Sequence, residues 1–553
     1  MSTSSAVGHA RRRLAAPSRD GRWRNDELLL AILGAASLVV LIAQARTLVH
    51  GLYLNADNAS ALVLPILAGH APAGATVNLG DHPWYEPWWF MRLTAGWPHY
   101  RQIWELAPFV FALLGIASIA ACAYRAIGRW SALVFAALLM SASATLRSVL
   151  YVPEARVAMV LHSGVLCGAL LLVYRRANAR RCTPSFLLAL GVPLVAFTGA
   201  GSTDELVIAG GVVPFLIAPA WGWWRSRGYA WKTTTCFALA VAVISLLVDS
   251  LLDHIMHADH VVAAPFPILF VAANGLWGNF QSLVTEFSSL AGGYFFGLSA
   301  SGSHLLVFAS GALALLALAM TLHRVYVVLS AHSAGAPRAQ VSERDFFIAF
   351  WGIALVVTVS AFVLTSAAEE AGNGRYLLAA WVAVAALIGT CATTVRMRAA
   401  ITIGVCLFCA LTLRSEIVDS VPAYGIGPTV AVTGSIERFV TMHDAYIGYS
   451  SYWDSSPITW ETHLRVRVYP IAQCGTPDGL GTSRSGWCPF YNNQISSWYK
   501  SRARTHTFLI TDARATNPLK IEAPSPAFGH PTAEAAFGEF HVYIYNYDLA
   551  TEL

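Results

Sequence analysis

Carboxylates stand among aromatic side chains in the stretch that follows the first long apolar segment. Asp57 comes soon after that segment, and the later sequence NLGDHPWYEPWW brings Asp81 and Glu86 next to Trp84 and Trp88. Such acids at a membrane surface can serve as a general base or bind a metal ion. Aromatic faces beside them can hold a sugar or anchor the chain among lipid headgroups. Both readings, a substrate site and an interfacial aromatic belt with ordinary surface acids, stay open at this point.

The composition defines the class of protein that positions these residues. Hydrophobic residues make up 56% of the 553, and charged residues only 12%. A soluble chain carries roughly a quarter charged residues, so we predict a polytopic α-helical membrane protein. The net charge of +5 then reflects membrane topology and gives no sign of a nucleic-acid partner. The nine cysteines form no Cys/His cluster, which gives no indication of a zinc site.

About eleven segments are apolar enough to be membrane spans, which need about 20 residues each and somewhat fewer when neighbours shield them. They lie near 27–47, 106–124, 130–146, 157–174, 184–200, 205–224, 233–252, 304–322, 346–366, 376–394 and 399–413. The basic stretch 1–26 precedes them as a cytoplasmic tail, and the full-length apolar run after it predicts a retained span rather than a cleaved signal peptide.

The distribution of arginine and lysine predicts the orientation. Basic residues gather in the N-terminal tail and in alternate short loops, which places those loops in the cytoplasm. The first loop (48–105), the 253–303 segment and the C-terminal part then share the extracytoplasmic face. The alanine-rich composition favours a bacterial inner (plasma) membrane, with the C-terminal domain in the periplasm or outside the cell.

We divide the chain accordingly into the tail 1–26, a transmembrane domain 27–414 and a soluble α/β domain 415–553. The 253–303 segment is predicted to form one or two interfacial helices. His254 and His257 in this segment are spaced to share a helical face and are candidate metal ligands, with solvated histidines as the alternative.

The C-terminal part alternates strand-like and helical pieces. Strands are predicted at 464–469, 505–511 and 540–547, and helices at 435–443 and around 491–500. Cys474 and Cys488 flank one loop on a face that we expect to be oxidising, so we predict a disulfide there, with two free thiols as the alternative.

Arg375 is the candidate for binding a phosphate. It lies in AAEEAGNGRYLLAA at the predicted outer start of a span, followed by Tyr376, and a guanidinium binds phosphate in bidentate fashion. The alternative is a charge-balancing ion pair with Glu369 or Glu370. The chain has no Walker, dinucleotide, HExxH or GxSxG motif. An enzyme on the outer face without nucleotide needs a donor that has already crossed the membrane, and a lipid-linked sugar meets that requirement.

On these residues the chain resembles the GT-C superfamily of membrane glycosyltransferases, which includes protein O-mannosyltransferases and the lipid A aminoarabinose transferase. The resemblance rests on the basic tail, one span, the early acid in YLNADN, the late GRYLL and the soluble C-terminal domain. The stretch IGYSSYWDSSPITW is also similar to the extracytoplasmic domains of bacterial members.

The resemblance implies that Asp57 is the catalytic base and that Arg375 holds the donor phosphate. Asn58 follows Asp57, unlike the subfamilies with paired first-loop acids, so Asp81 or Glu86 would supply any second acid. The candidates for substrate binding are these two acids together with Trp84, Trp88 and Tyr376.

We therefore expect an inverting glycosyltransferase that moves a sugar from a polyprenyl-phosphate donor to an acceptor glycan, lipid or protein, with the C-terminal domain binding the acceptor. No cofactor is required by this scheme, and a divalent cation stays open. One rival is a non-catalytic membrane component or a transporter of lipid-linked sugars, although no internal repeat typical of transporters is evident. Another rival is a transferase of a phospholipid headgroup or glycan chain, which would use the histidines.

Overall fold

The structure is a computed structural model. It describes residues 23–47, 56–79, 88, 92–94, 96–151, 158–201, 205–263, 268–293, 305–330, 341–368, 373–418, 430–501, 505–514 and 519–553.

Helices form most of the first 418 residues. In chain order they are α1 Asn25–Thr47, α2 Ala56–Ala68, α3 Tyr100–Ala126, α4 Arg129–Met140, α5 Ala144–Leu150, α6 Ala158–Asn178, α7 Pro184–Gly201, α8 (Glu205–Val207, a π-helical turn Ile208–Val212, and Val213–Ser226), α9 Tyr229–Ala258, α10 Leu276–Leu290, α11 Leu305–Ser330, α12 Glu343–Leu364, α13 Leu378–Ile388 and α14 Val395–Val418. Short 3₁₀ turns, Ser366–Ala368 and Asn373–Leu377, connect α12 to α13.

Each of the eleven predicted spans overlaps helical residues, but 130–146 crosses the break between α4 and α5. Within the described ranges, nine helices are long and apolar enough to cross a membrane, and the predicted spans 130–146 and 205–224 are not among them. Helix α4 is shorter, because a new helix begins where Ser143 accepts the backbone N–H of Leu146. Helix α9 is longer than predicted and continues to Ala258. The structure thus supports a multi-pass helical membrane domain.

The basic loops meet at one end of the helix bundle, called here the basic end. Arg398 pairs with Asp26 at 2.5 Å and with Glu27 at 3.2 Å, and Arg129 approaches Glu27 at 3.8 Å. Arg175 forms an ion pair with Glu343. The starts of α1, α4 and α14 therefore lie together, and the end of α6 meets the start of α12, as the predicted alternation of loops requires.

The remaining helix termini meet at the opposite end of the bundle. The guanidinium of Arg147 donates to Gln44 Oε1 at 2.7 Å, and the hydroxyl of Ser143 donates to the carbonyl of Leu290 at 2.7 Å. Buried Asn279 donates to the carbonyls of Val363 and Thr365. Helix α10 of the 253–303 segment thus caps the C-terminal end of α12 through Asn279 and packs beside α5.

The C-terminal part is an α/β domain with a six-stranded sheet in the order β5-β4-β3-β7-β9-β8. Its elements are α15 Val430–Met442, β3 Ile447–Ser450, α16 Tyr452–Glu461, β4 Arg467–Gln473, β5 Trp487–Pro489, β6 Gln494–Ile495, β7 Thr507–Asp512, β8 Ala533–Phe537 and β9 Phe540–Tyr545. Strand β3 runs parallel to β4 and β7, and α16 forms the crossover between β3 and β4.

Two details of the domain test the sequence predictions. Cys474 and Cys488 form the predicted disulfide. The helix predicted around 491–500 is wrong, since strand β6 and a 3₁₀ turn Ser496–Tyr499 occupy that stretch. Strand β6 is not part of the six-stranded sheet. It pairs instead with β1, Val77–Leu79, of the first loop. On its other side β1 pairs with β2, Val261–Ala263, so a second sheet joins three distant parts of the chain.

Candidate functional site

Asp57 lies in the first turn of α2, a helix of 13 residues. Its side chain, like that of Asn58, is outside what the structure describes. The described side chains from 59 to 67 are all buried. A helix this short does not span a bilayer, and it packs instead against α16 and β6 of the C-terminal domain. The candidate base therefore stands at the start of a helix that is enclosed by protein.

Arg375 lies in the 3₁₀ turn before α13, at the opposite end of the bundle from the basic end. This turn packs against α5, α10, α12 and α13. The guanidinium of Arg375 is 5.2 Å from the ring centre of buried Tyr376, so these two candidate residues form a cation–π pair. The turn and its neighbours are named here the Arg375 corner.

Glu286 of α10 is the carboxylate that the structure places in this corner. The backbone N–H of Gly374 donates to Glu286 Oε2 at 3.0 Å, and a Cβ at Gly374 would lie 3.0 Å from that same oxygen. Any larger residue at this position would push against the Glu286 carboxylate. Burial raises the pKa of Glu286, and the bonds from Gly374 and Ser289 oppose the shift. Glu369 and Glu370, the ion-pair partners considered from the sequence, lie outside the described residues.

Trp88 stands at the wall of a cavity of about 190 Å³ beside the turn after α2. Arg92, Asp259 and His260 also line it, and the guanidinium of Arg92 is 5.9 Å from the Trp88 ring centre. Trp88 is only 1% exposed, and its indole N–H has no hydrogen-bond partner among the described residues. The accessible lining comes from Arg92, Asp259 and His260, and such charged and polar groups suit a hydroxyl-rich ligand. Trp84, Asp81 and Glu86 lie outside the described residues.

His254 and His257 lie exposed in the last turns of α9, not in a separate interfacial helix. His257 Nδ1 is 3.4 Å from Asp253 Oδ1. Across the described ranges, no three His, Cys, Asp or Glu side chains are grouped so that they could hold a metal ion.

The candidates therefore fall into two groups with different neighbours. Helix α2 belongs with α16 and β6, whereas Arg375 and Tyr376 belong with α5, α10, α12 and α13. The end of α1 contacts the second group through α5. Gln44 of α1 accepts a hydrogen bond from Arg147 of α5, and α5 packs on the Arg375 turn. Asp57 follows Gln44 after a short link.

Sequence reasoning missed the polar contacts that fix α16. Buried Arg514 pairs with both Asp454 and Asp512, and the indole N–H of Trp460 donates to Glu105 Oε1 at 3.2 Å. These partners are far apart along the chain, and no local spacing indicates them. The only available signal was the presence of acids and arginines inside otherwise apolar stretches.

Comparisons with known proteins concern the fold. No protein-family model and no curated protein matches the chain. Among solved structures, ArnT from Cupriavidus metallidurans, bound to undecaprenyl phosphate, is similar with a TM-score of 0.51 and 12% identity, over 93% of this chain and 97% of that one. Two structures of the Archaeoglobus fulgidus oligosaccharyltransferase are also similar.

One of these, a complex with Zn and sulfate, has a TM-score of 0.43 and 13% identity, over 80% of this chain and 62% of that one. The other, tethered to an acceptor peptide, has a TM-score of 0.44 and 12% identity, over 87% and 69%. The similarity to ArnT extends over nearly the full length of both proteins, so it concerns the membrane bundle and the C-terminal domain together. The chain has the fold of the GT-C membrane glycosyltransferases.

Proposed function

We propose that the protein is an integral membrane glycosyltransferase that moves a sugar from a polyprenyl-phosphate donor to an acceptor hydroxyl on the extracytoplasmic face. The observation that carries the proposal is the Arg375 corner, where a half-buried arginine lies at the end of a GT-C helix bundle. A cation there can meet the phosphate of a lipid whose chain stays in the bilayer.

The step is a direct displacement with inversion. The carboxylate of Asp57 takes the proton from the acceptor hydroxyl, and the hydroxyl oxygen forms a bond to the anomeric carbon. The bond from that carbon to the phosphate oxygen breaks, and the lipid phosphate leaves with the electron pair. Arg375 stabilises the negative charge that develops on the phosphate. Neither a nucleotide nor a redox partner is needed.

The cavity beside Trp88 supports a site for sugar units of the acceptor. Asp57 lies at the start of α2 and the cavity beside its end, so about 16 Å of helix separates them at 1.5 Å per residue. An acceptor that reaches both places is longer than one sugar. Among acceptor glycans, lipids and proteins, this distance favours an extended glycan.

The test is transfer by purified protein in lipid nanodiscs, with radiolabelled undecaprenyl-phosphate sugars and lipid or glycan acceptors from the envelope. Wild-type protein should transfer label, and Asp57→Asn should reduce transfer by about 10²–10⁴-fold with unchanged yield and thermal stability. Full activity in this variant would remove Asp57 from its role. Donor binding without transfer by wild-type protein would favour a transporter or assembly component. Parallel assays with EDTA and with added Mg²⁺ test whether a divalent cation takes part.

A further inference from the structure

We propose that the C-terminal domain, through helix α16, holds α2 in place, and that Ser456 and Trp460 are positioning residues for Asp57. The catalytic consequence rests on the proposed function of Asp57. The mechanical coupling between the two helices does not depend on it.

Small buried side chains lie on both α2 and α16, which pack against each other. Ala56, Ala59 and Ser60 of α2 are each 0% exposed, and Ser455 and Ser456 of α16 are 0% and 3% exposed. Small residues let two helix backbones approach closely. At the contact, the hydroxyl of Ser60 donates to Ser456 Oγ at 2.9 Å, across 396 residues of sequence. It is a buried side-chain bond between the membrane domain and the C-terminal domain.

Helix α16 is fixed at its start by buried charges. Ser451 donates to Asp454 Oδ2 at 2.7 Å, and the guanidinium of Arg514 pairs with Asp454 and, at 2.9 Å from its Nε, with Asp512 at the end of β7. Breaking a buried ion pair is strongly destabilising, because one charge is left without a partner. The start of α16 is therefore held on the central strands of the sheet.

The other end of α16 is fixed on the membrane domain. Trp460 is 1% exposed and bonds Glu105, while the guanidinium of Arg101 lies 4.4 Å from the Trp460 ring centre. Arg101 and Glu105 belong to the first turns of α3, a long apolar helix. Helix α16 thus connects the sheet of the C-terminal domain to a candidate membrane span, with α2 packed along it.

The short second sheet holds the loop after α2 in the same way. Thr76 and Ser496 exchange two bonds at 2.8 Å, one from the N–H of Ser496 to the Thr76 carbonyl and one from the N–H of Thr76 to Ser496 Oγ. Both α2 and the segment that follows it are therefore fixed by the C-terminal domain.

The distance from this contact to Asp57 is short. Ser60 follows Asp57 by three residues, which is less than one turn, or about 4.5 Å along the axis. A misplacement of about 1 Å can cost about 100-fold in rate. Loosening α2 at Ser60 should therefore lower the catalytic rate more than it affects donor binding at the Arg375 corner, which packs against α5, α10, α12 and α13.

The test compares Ser456→Ala with Ser455→Ala in the full-length protein. Ser455 is an equally buried neighbour, but its hydroxyl bonds the carbonyl of Tyr452 within its own helix. Amide hydrogen exchange should show lost protection in peptides covering 56–68 for Ser456→Ala and for Trp460→Phe. Ser455→Ala should leave those peptides unchanged, and α12 should be unaffected in all three.

In the transfer assay, Ser456→Ala should lower kcat by up to about 100-fold, the cost of a misplacement of about 1 Å, with the donor KM unchanged. Joining Ser60→Cys and Ser456→Cys by oxidation should restore protection and rate. Equal exchange in the two serine variants, or faster exchange spread over the whole chain, would overturn the proposal. Lost protection together with a fully active Asp57→Asn would instead leave the coupling intact and remove the proposed function.

Discussion

The two regions that hold the candidate site residues are built in different ways. The Arg375 corner is made from the ends of membrane helices, and its contacts, such as Gly374 with Glu286, link segments of one helical domain. The junction of α2 with α16 is made from two domains that meet through Ser60 and Ser456. The Arg375 corner can therefore form within the membrane domain without the C-terminal domain. The second region exists only when the soluble domain is docked.

Under the proposed function, this difference would separate the two tasks of one reaction, which are donor binding and acceptor activation. A lipid phosphate stays at the membrane, so the group that binds it belongs on a membrane helix. An acceptor comes from outside, so the base that activates it is placed where an extramembrane domain can control its position. The first two variants below should therefore each disturb one region and spare the other, and the third should disturb neither.

Arg375→Ala should give the largest effect. Losing a charged hydrogen-bond donor to phosphate, at about 1.5–3 kcal/mol for each bond, should lower kcat/KM by about 100-fold or more. Undecaprenyl phosphate should stabilise the wild-type protein against heat, and the variant should lose this stabilisation. Arg375→Lys should recover only part, because an ammonium lacks the bidentate fork. Arg396→Ala, an exposed arginine at the basic end, is the control. An unchanged response to the lipid in Arg375→Ala would show that the phosphate binds elsewhere.

Asp454→Asn should give an intermediate effect, seen in the pH dependence of the unfolding temperature. Burial raises the pKa of Asp454 to about 7, although Arg514 opposes the shift. The folded chain then binds this proton more tightly than the unfolded chain, where an aspartate titrates near pH 4. The resulting stabilisation is complete below about pH 4 and is lost as the pH rises through about 7.

The asparagine variant has no such proton to lose and keeps an oxygen acceptor for Arg514. Its unfolding temperature should therefore fall less between pH 5 and pH 8 than that of the wild-type protein, as followed by tryptophan fluorescence. Glu534→Gln, at an exposed position on β8, should behave like the wild type. Parallel curves for wild type and Asp454→Asn would mean that Asp454 does not titrate in this range.

The double variant His254→Ala with His257→Ala should give the smallest effect. Both side chains are exposed on α9 and belong to neither region. Transfer activity should change by less than about twofold, and metal content measured by mass spectrometry should not change. A bound metal that disappears together with activity would instead support the rival transferase chemistry.

The parts of the fold that depend on local patterns could be predicted from the sequence. Each predicted span overlaps helical residues because apolar length and flanking charge are local properties. The disulfide between Cys474 and Cys488 was also predicted, because both lie in one short loop. Helix α2 was not, since 13 residues with Pro65 inside them do not stand out within a loop.

The candidate site was predicted only as a set of residue types at one surface. Arg375 and Tyr376 lie together, as neighbours in the sequence must. The carboxylate beside them, Glu286, is distant in the sequence, and the bond of Ser60 to Ser456 depends on the docking of two domains. Such contacts follow from tertiary packing, which no local spacing encodes.

The second sheet has a consequence for how the protein is made. Strand β1 emerges from the ribosome early, but its partners are β2 and, almost at the end of the chain, β6. The apolar helix α2 next to it must wait for the same late residues to cover it. A nascent chain can therefore have its full set of membrane helices inserted while the assembly of its first loop is still incomplete. Synthesis of the C-terminal domain is then the event that completes the first loop. Under the proposed function, a chain shortened before β6 would be inserted but inactive.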